Sequence, residues 1–322
     1  MRVNIANSEF YLLLEKYRLG RKLSVELAGL RLANPTMLAA GILGMTSLSL
    51  KRVADAGAGA VVTKSVGLKP RTGYINPTLV KVDCGYLNAM GLPNPGIEYF
   101  EKEIHDAQTI GCPLIVSVYG FYAEEFVQVA KKASQAGADA LELNLSCPHV
   151  EKTGSEIGQD PRLLKRIVKT VKKRVEIPVF VKLTPNVTSV IECAKVAEEG
   201  GADAITAINT VRAMAINAET ARPILGNQFG GLSGPALKTI ALRCIYEIYR
   251  KTKLPIIGCG GISGWRDTVE FMLAGAIAVQ VGTAISSMGL QIFRSINDGV
   301  EAYLDTKGFE SVREIVGLSH RC

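Results

Sequence analysis

Ala136-Gly137-Ala138-Asp139-Ala140-Leu141-Glu142-Leu143-Asn144 is a small-residue turn, a short apolar strand and a polar residue where the strand ends. The phrase recurs three times. Ala56-Gly57-Ala58 runs into Ala60-Val61-Val62-Thr63-Lys64, Gly200-Gly201-Ala202 into Ala204-Ile205-Thr206-Ala207-Ile208-Asn209, and Ala274-Gly275-Ala276 into Val279-Gln280-Val281-Gly282-Thr283. A repeated strand–helix unit predicts parallel strands joined by crossover helices. Parallel strands bring their C-terminal ends to one face. Lys64, Asn144, Asn209 and Gly282 are therefore expected around a single pocket.

Working outward, the pattern predicts strands at 36–40, 60–64, 114–118, 140–145, 179–183, 204–208, 256–258 and 278–281. Helical periodicity fills the gaps at 47–56, 96–110, 123–136, 161–174, 188–199, 235–250, 264–273 and 288–304. Pro113, Pro178 and Pro255 precede three of the strands and close the segment before them. An amphipathic leader (3–19) and a hairpin over 23–32 come first. Eight strands alternating with helices suit an α/β protein of the (β/α)8 TIM-barrel type better than a doubly wound sheet. No composition break divides the chain, so residues 1–322 are read as a single barrel domain. Three connections, 65–95, 148–160 and 210–234, are too long for plain turns. All follow strand ends, which predicts extended loops on the C-terminal face. The stretch 148–160, with Gly154 and Gly158 as hinges, reads as a lid.

Composition excludes several classes. With 48% hydrophobic and 21% charged residues the chain has enough apolar material for a large core. Net charge is +7, but the one basic run, Lys169 to Arg174, follows helical periodicity and lacks interleaved aromatics. It reads as a solvated helix face, not a nucleic-acid site. No apolar run is long enough to span a membrane. The seven cysteines include no C-x-x-C pair, which argues against a disulfide framework, structural zinc or a cluster within this chain, and for a reducing cytoplasm.

The chemistry-bearing residues lie at the predicted mouth. Strand 7 ends in Gly258-Cys259-Gly260-Gly261 and strand 8 in Gly282-Thr283, while Gly234 closes Gly230-Gly231-Leu232-Ser233-Gly234. Barrel loops after strands 7 and 8 commonly bind phosphate through backbone N–H groups. A tight turn needing positive φ explains any one of these glycines equally well. Lys64 closes strand 2 and Lys182 lies inside apolar strand 5. A lysine there needs an anionic partner: an electron-rich ring beside the phosphate site or, for Lys182, a barrel-core ion pair with Glu142. Asn88, Asn144 and Asn209 can each donate and accept, as recognition of a ring with carbonyl and N–H groups requires. Cys147, just past strand 4, is positioned to act as a base, although most cysteines are buried and inert. The same mouth would also serve a non-catalytic flavin- or phosphate-sugar-binding barrel, or a non-redox barrel lyase using the same phosphate site.

Taken in order, Asn88 to Gly96 (NAMGLPNPG), Asn144 to Pro148 (NLSCP), Val181 to Thr188 (VKLTPNVT), Ile208-Asn209-Thr210, Gly230 to Pro235 (GGLSGP) and Ile257 to Gly261 (IGCGG) resemble class 1 dihydroorotate dehydrogenases, most closely the 1B branch. The resemblance implies an FMN-containing barrel that oxidises dihydroorotate to orotate in pyrimidine synthesis. By that resemblance FMN would contact Ala40, Lys64, Ser65, Asn144, Lys182, Ile208, Gly234, Gly260, Gly261, Gly282 and Thr283. Substrate would contact Lys64, Asn88, Ala89, Met90, Gly91, Leu92, Asn144, Asn209 and Thr210, and Cys147 would be the base. No metal is implied. The 1B relatives pair with a subunit carrying FAD and an iron–sulfur cluster, so such a partner is expected, in a homo-oligomer or heterotetramer.

Two positions depart from the family pattern. His149 stands where the family usually has the Asn that helps hold the orotate carboxylate, and Ser117 stands where an Asn often ends strand 3. Cys147-Pro148-His149 with Gly158 to Pro161 also resembles the FMN domain of dihydropyrimidine dehydrogenases, which act on uracil and thymine. That is the alternative reading.

Overall fold

The computed structural model describes residues 22–145 and 157–321. The predicted leader, Cys147, His149 and most of the expected lid lie outside the described residues. Apolar sequence on both faces of a strand requires cover on both sides. Accordingly, every residue of Leu114–Val118 and Val179–Leu183 is buried.

Eight parallel strands close into a barrel. They are β1 (Thr36–Leu38), β2 (Ala60–Val62), β3 (Leu114–Val118), β4 (Ala140–Asn144), β5 (Val179–Leu183), β6 (Ala204–Ala207), β7 (Ile256–Cys259) and β8 (Ala276–Val281). They neighbour one another in sequence order, with β8 returning to β1. The main crossover helices are α1 (Ser47–Asp55), α2 (Ile97–Asp106), α3 (Ala123–Gln135), α4 (Pro161–Lys172), α5 (Val190–Glu199), α6 (Lys238–Tyr249) and α7 (Trp265–Leu273), with α8 (Ile292–Lys307) after β8. The hairpin Val25–Leu27/Leu30–Leu32 pairs antiparallel. Its last residue is four positions before Thr36, which places it beside the N-terminal mouth.

Local chemistry explains the basic run. Asp160 caps α4, its Oδ1 accepting from Arg162 N at 2.8 Å and Leu163 N at 3.2 Å, and Pro161 occupies the first turn. Leu164, Ile167, Val168 and Val171 are buried, so the cations fall on the outer face. Lys165 pairs with Glu199 and Arg166 with Glu124 across the surface. Full burial of each such apolar side chain contributes about 1.5–3 kcal/mol, more than an exposed ion pair of roughly 0–1 kcal/mol.

The structure differs from the sequence reading at the cap. The two long connections after β2 and β6 are not irregular covers. They pair with each other as a four-stranded antiparallel sheet, in the order Val211–Ala213, Gly230–Ser233, Gly85–Asn88, Leu79–Val82. Gly85 allows the close approach: a Cβ there would lie 1.9 Å from Ser233 O. Leu87, Ala89 and Leu225 form a small separate core beneath it. The expected helix 288–304 also divides, into Ile285–Met288 and α8, at Gly289 with its φ of +67°.

Candidate active site

The strand register sets the floor of the mouth. Asn144 on β4 is opposite Lys182 on β5, and Lys182 is opposite Thr206 on β6. Side chains two residues apart share a face, so Glu142 lies one layer below Asn144.

A chain of polar side chains crosses the mouth. Ser117 and Ser65 share a hydrogen bond at 2.8 Å, Asn144 Nδ2 donates to Ser65 Oγ at 3.0 Å, and Asn209 Nδ2 donates to Asn144 Oδ1 at 3.4 Å. Asn209 Oδ1 accepts from Thr210 N at 2.8 Å. These contacts link the ends of β3, β2, β4 and β6. Ser117, which departs from the family pattern, is fully buried and orients Ser65.

The two lysines stand in different fields. Lys182 is buried; its Nζ donates to Gln280 Oε1 at 2.8 Å and lies 3.5 Å from Glu142 Oε1. The core ion pair weighed from sequence is therefore present. Burial acts to lower the Lys182 pKa, but the facing Cys259 and Glu142 outweigh it and hold the ammonium above its ordinary value. Burial in turn pushes the Cys259 thiol up. Lys64, at the end of β2, is half-buried, and no carboxylate among the described residues pairs with it. Burial alone pulls its pKa below the ordinary value.

The glycine turns converge on one side of the mouth. A Cβ on Gly234 would lie 3.6 Å from Thr283 Cγ2, one on Gly260 3.5 Å from Ile208 Cγ1, and one on Gly282 3.3 Å from Ala39 Cβ, next to Ala40. Gly261, with φ of +78°, lies against the first residue of α6: a Cβ there would be 2.5 Å from Lys238 N. Among the described residues no acceptor takes the N–H groups of Gly261 and Thr283. Unpaired donors in a cradle that a side chain would fill are suited to phosphate oxygens.

The Asn88 to Leu92 loop is fixed by the cap sheet. Asn88 Nδ2 donates to Gly231 O at 3.1 Å, which commits that amide to the sheet. Ala89 N donates to Thr78 O, Met90 O accepts from Tyr74 N, Gly91 O accepts from Arg71 Nε, and Leu92 O accepts from Asn94 Nδ2. Asn94 Nδ2 also reaches Tyr119 OH at 2.7 Å.

Three residues not singled out from sequence complete the mouth. Gln280 and Thr206 both bond Glu142 Oε2, Thr206 at 2.8 Å. Asn186 donates to Thr184 Oγ1 at 3.0 Å and Thr210 O at 3.2 Å and accepts from Arg212 N at 2.9 Å, holding the start of the cap sheet to the end of β5. The signal for Gln280 was present: an amide inside an apolar strand needs a buried partner as a lysine does.

A closed parallel barrel with amides, two lysines and glycine turns gathered at one C-terminal mouth is the architecture of a (β/α)8-barrel enzyme. Comparison narrows the class. The chain belongs to the dihydroorotate dehydrogenase family, whose sequence model, described as "Dihydroorotate dehydrogenase", matches residues 22–304. Similar relatives are each named "Dihydroorotate dehydrogenase B (NAD(+)), catalytic subunit". The one from Methanosarcina acetivorans is 51% identical over 94% of this chain and 98% of its own length. Those from Methanocella arvoryzae and Pyrococcus furiosus are each 50% identical over 93% of this chain, covering 98% and 99% of their own lengths. The 1B resemblance and the barrel fold both hold. Among the described residues no helix is long and apolar enough to cross a membrane.

Proposed function

We propose that this chain is the catalytic subunit of a dihydroorotate dehydrogenase that oxidises (S)-dihydroorotate to orotate for pyrimidine synthesis, with FMN as its resident cofactor. The observation that carries this reading is the polar chain Ser117–Ser65–Asn144–Asn209, spanning one mouth between two lysines and an open glycine cradle. The residues suit the cofactor. The free amides of Gly261 and Thr283 match a phosphate, and Lys64 and Lys182 match a ring that becomes electron-rich. When bound, FMN supplies an acceptor at N5 for the hydride leaving C6 of the substrate.

The chain's own residues bind, orient and move a proton. Asn144 and Asn209, fixed by Ser65 and by each other, read the pyrimidine carbonyl and N–H groups. Lys64 supplies positive charge, and the Asn88 to Leu92 loop covers the ring from the cap. Cys147 takes the proton from C5 as the hydride leaves C6, so the C5–C6 bond becomes double. Holding both reacting carbons in place lets the two transfers proceed from one bound pose. The relatives' description as an NAD(+)-linked catalytic subunit supports a second chain that carries electrons to NAD(+); in our reading that chain bears FAD and an iron–sulfur cluster, and the two form a cytoplasmic oligomer.

The test is anaerobic. The purified, FMN-loaded chain is mixed with dihydroorotate in one cuvette and dihydrouracil in another, and flavin absorbance is followed. Bleaching by dihydroorotate alone is expected. Bleaching by dihydrouracil alone would move the enzyme to the dihydropyrimidine reading that His149 raises, and bleaching by neither would refute both. Cys147→Ala should retain FMN but lose at least about a hundredfold in reduction rate at neutral pH, the usual scale for a removed general base.

A further inference from the structure

Beneath the mouth, four strands place one acidic, one basic and two neutral polar side chains in contact. Glu142 is fully buried. Its Oε2 accepts from Thr206 Oγ1 at 2.8 Å and from Gln280 Nε2. Among the described residues its Oε1 accepts no hydrogen bond, and it lies 3.5 Å from Lys182 Nζ. Gln280 turns its other end to the lysine, with Oε1 accepting a hydrogen bond from Nζ at 2.8 Å. The Gln280 amide is therefore clamped in one orientation, donor toward the carboxylate and acceptor toward the ammonium.

An ion pair that only held the barrel together would use its direct hydrogen bonds on the partner charge. Here the carboxylate takes its hydrogen bonds from neutral groups through one oxygen and faces the ammonium with the other. Lys182 donates one of its three protons to Gln280 and keeps donor capacity. It stands level with Asn144 in the register, at the floor of the mouth, with Glu142 one layer below.

We propose that Glu142, anchored by Thr206 and Gln280, is a positioning residue for Lys182. It fixes the ammonium and its charge at the floor of the ring site, so that the site favours the ring after it has accepted a hydride from the substrate. The proposal rests on the FMN reading above and deepens it. The groups facing Lys182 are Glu142 from β4, Cys259 from β7 and the uncharged Gln280 from β8. Burial acts against the ammonium, Cys259 and Glu142 act for it, and Glu142 is the carboxylate among the facing groups, 3.5 Å away.

The experiment has a flavin arm and an apoprotein arm. In the first, the midpoint potential of bound FMN is measured across neutral and alkaline pH for wild type, Glu142→Gln and Thr206→Val. Glu142→Gln should shift the potential to more negative values and add a pH-dependent fall, as Lys182 gives up its proton at lower pH than in wild type. Thr206→Val, nearly isosteric and missing one bond to the carboxylate, should shift it the same way by less, and it keeps the proposal testable if Glu142→Gln does not fold. Potentials and pH profiles equal to wild type in both variants would overturn the proposal.

The apoprotein arm is a double-mutant cycle on unfolding midpoints with Glu142→Gln and Lys182→Met. Lys182→Met should destabilise the wild type but restore stability to Glu142→Gln, because it removes a buried charge left without a partner. Additive effects would overturn the proposal whatever the flavin arm shows. A wild-type chain that takes up no flavin would sink the functional reading instead, and the cycle alone would then decide on the pair.

Discussion

Replacing Gly261 with Ala tests whether the turn after β7 holds a phosphate, and Gly308 supplies the control. Both glycines have left-handed φ, +78° and +76°. An Ala at either position is strained by that φ; for Gly308, whose ψ of 24° completes the left-handed conformation, the penalty is about 1–2 kcal/mol. Their surroundings differ. A Cβ on Gly308 meets nothing within 4 Å, whereas one on Gly261 falls 2.5 Å from Lys238 N and 2.8 Å from its Cα. These are backbone atoms at the start of α6, so no rotamer change relieves the contact. The turn or the helix must shift until the contact opens from 2.5 Å to at least 3.0 Å, and the Gly261 N–H then loses its aim. A hydrogen bond to a charged group contributes about 1.5–3 kcal/mol, or roughly 10- to 150-fold in a dissociation constant. Apoprotein of each variant is titrated with FMN by quenching of flavin fluorescence, and melting temperatures are recorded in parallel. Both variants should melt lower than wild type. Gly308→Ala should bind FMN as wild type does, and Gly261→Ala at least tenfold more weakly. Equal FMN dissociation constants in the two variants would refute the phosphate assignment.

Two further outcomes follow from single side chains. Lys64 has its pKa lowered by burial, so between that lowered value and its ordinary 10.5 the unfolded chain binds a proton that the folded chain does not. The contribution of Lys64 to apoprotein stability therefore rises with pH through that window, against the opposite contribution of buried cysteines such as Cys112 and Cys193, and Lys64→Met should make the measured slope more negative than in wild type while weakening FMN binding. Urea midpoints against pH check this, and equal slopes in wild type and Lys64→Met would refute the contribution of Lys64. Asn186→Ala removes three side-chain hydrogen bonds that fix Thr184, Thr210 and Arg212. It should weaken orotate binding by about tenfold, the equivalent of roughly 1.4 kcal/mol, with FMN affinity unchanged. Orotate titration of the flavin spectrum measures it, and wild-type affinity would show that Thr210 needs no such support.

The barrel was legible because its signal is local. Each strand carries its own apolar run and small-residue turn, and each helix its own period. Ends were less legible by a residue or two: β1 stops at Leu38, although Ala39 N still bonds Val281 O, and β4 stops at Asn144. The cap sheet was not legible as a sheet. Its strands pair Asn88 with Gly231 across 143 residues, and glycine-rich segments such as Gly230–Ser233 carry almost no alternation to mark a strand. The Lys182–Glu142 pair was legible because a lysine inside an apolar strand requires an explanation. Thr206 was not, since a threonine is ordinary in a strand, whereas Gln280, an amide inside an apolar strand, carried the same signal as the lysine. Cys147, placed at the mouth by the end of strand 4 and given its role as base by the resemblance, lies outside the described residues.

The two lysines at one mouth divide the electrostatic work in a way sequence could not show. At 3.5 Å and an effective dielectric near 20, Glu142 attracts the Lys182 ammonium by about 5 kcal/mol. Desolvating both groups offsets most of that, so the pair gives the fold little net stability. What it gives is a permanent positive charge inside the barrel with no net charge added to the core. Among the described residues Lys64 has no such partner, and burial works against its ammonium. Its desolvation is therefore relieved only when an anionic group arrives beside it. A charge that is already compensated cannot report on ligand binding, whereas an uncompensated one must. Lys182 thus sets the standing field of the site, and Lys64 is the lysine whose proton affinity should rise when phosphate, reduced ring or substrate carboxylate enters. Proton uptake on adding anionic ligand to the apoprotein, lost in Lys64→Met and retained in Gly308→Ala, is the signature of that division.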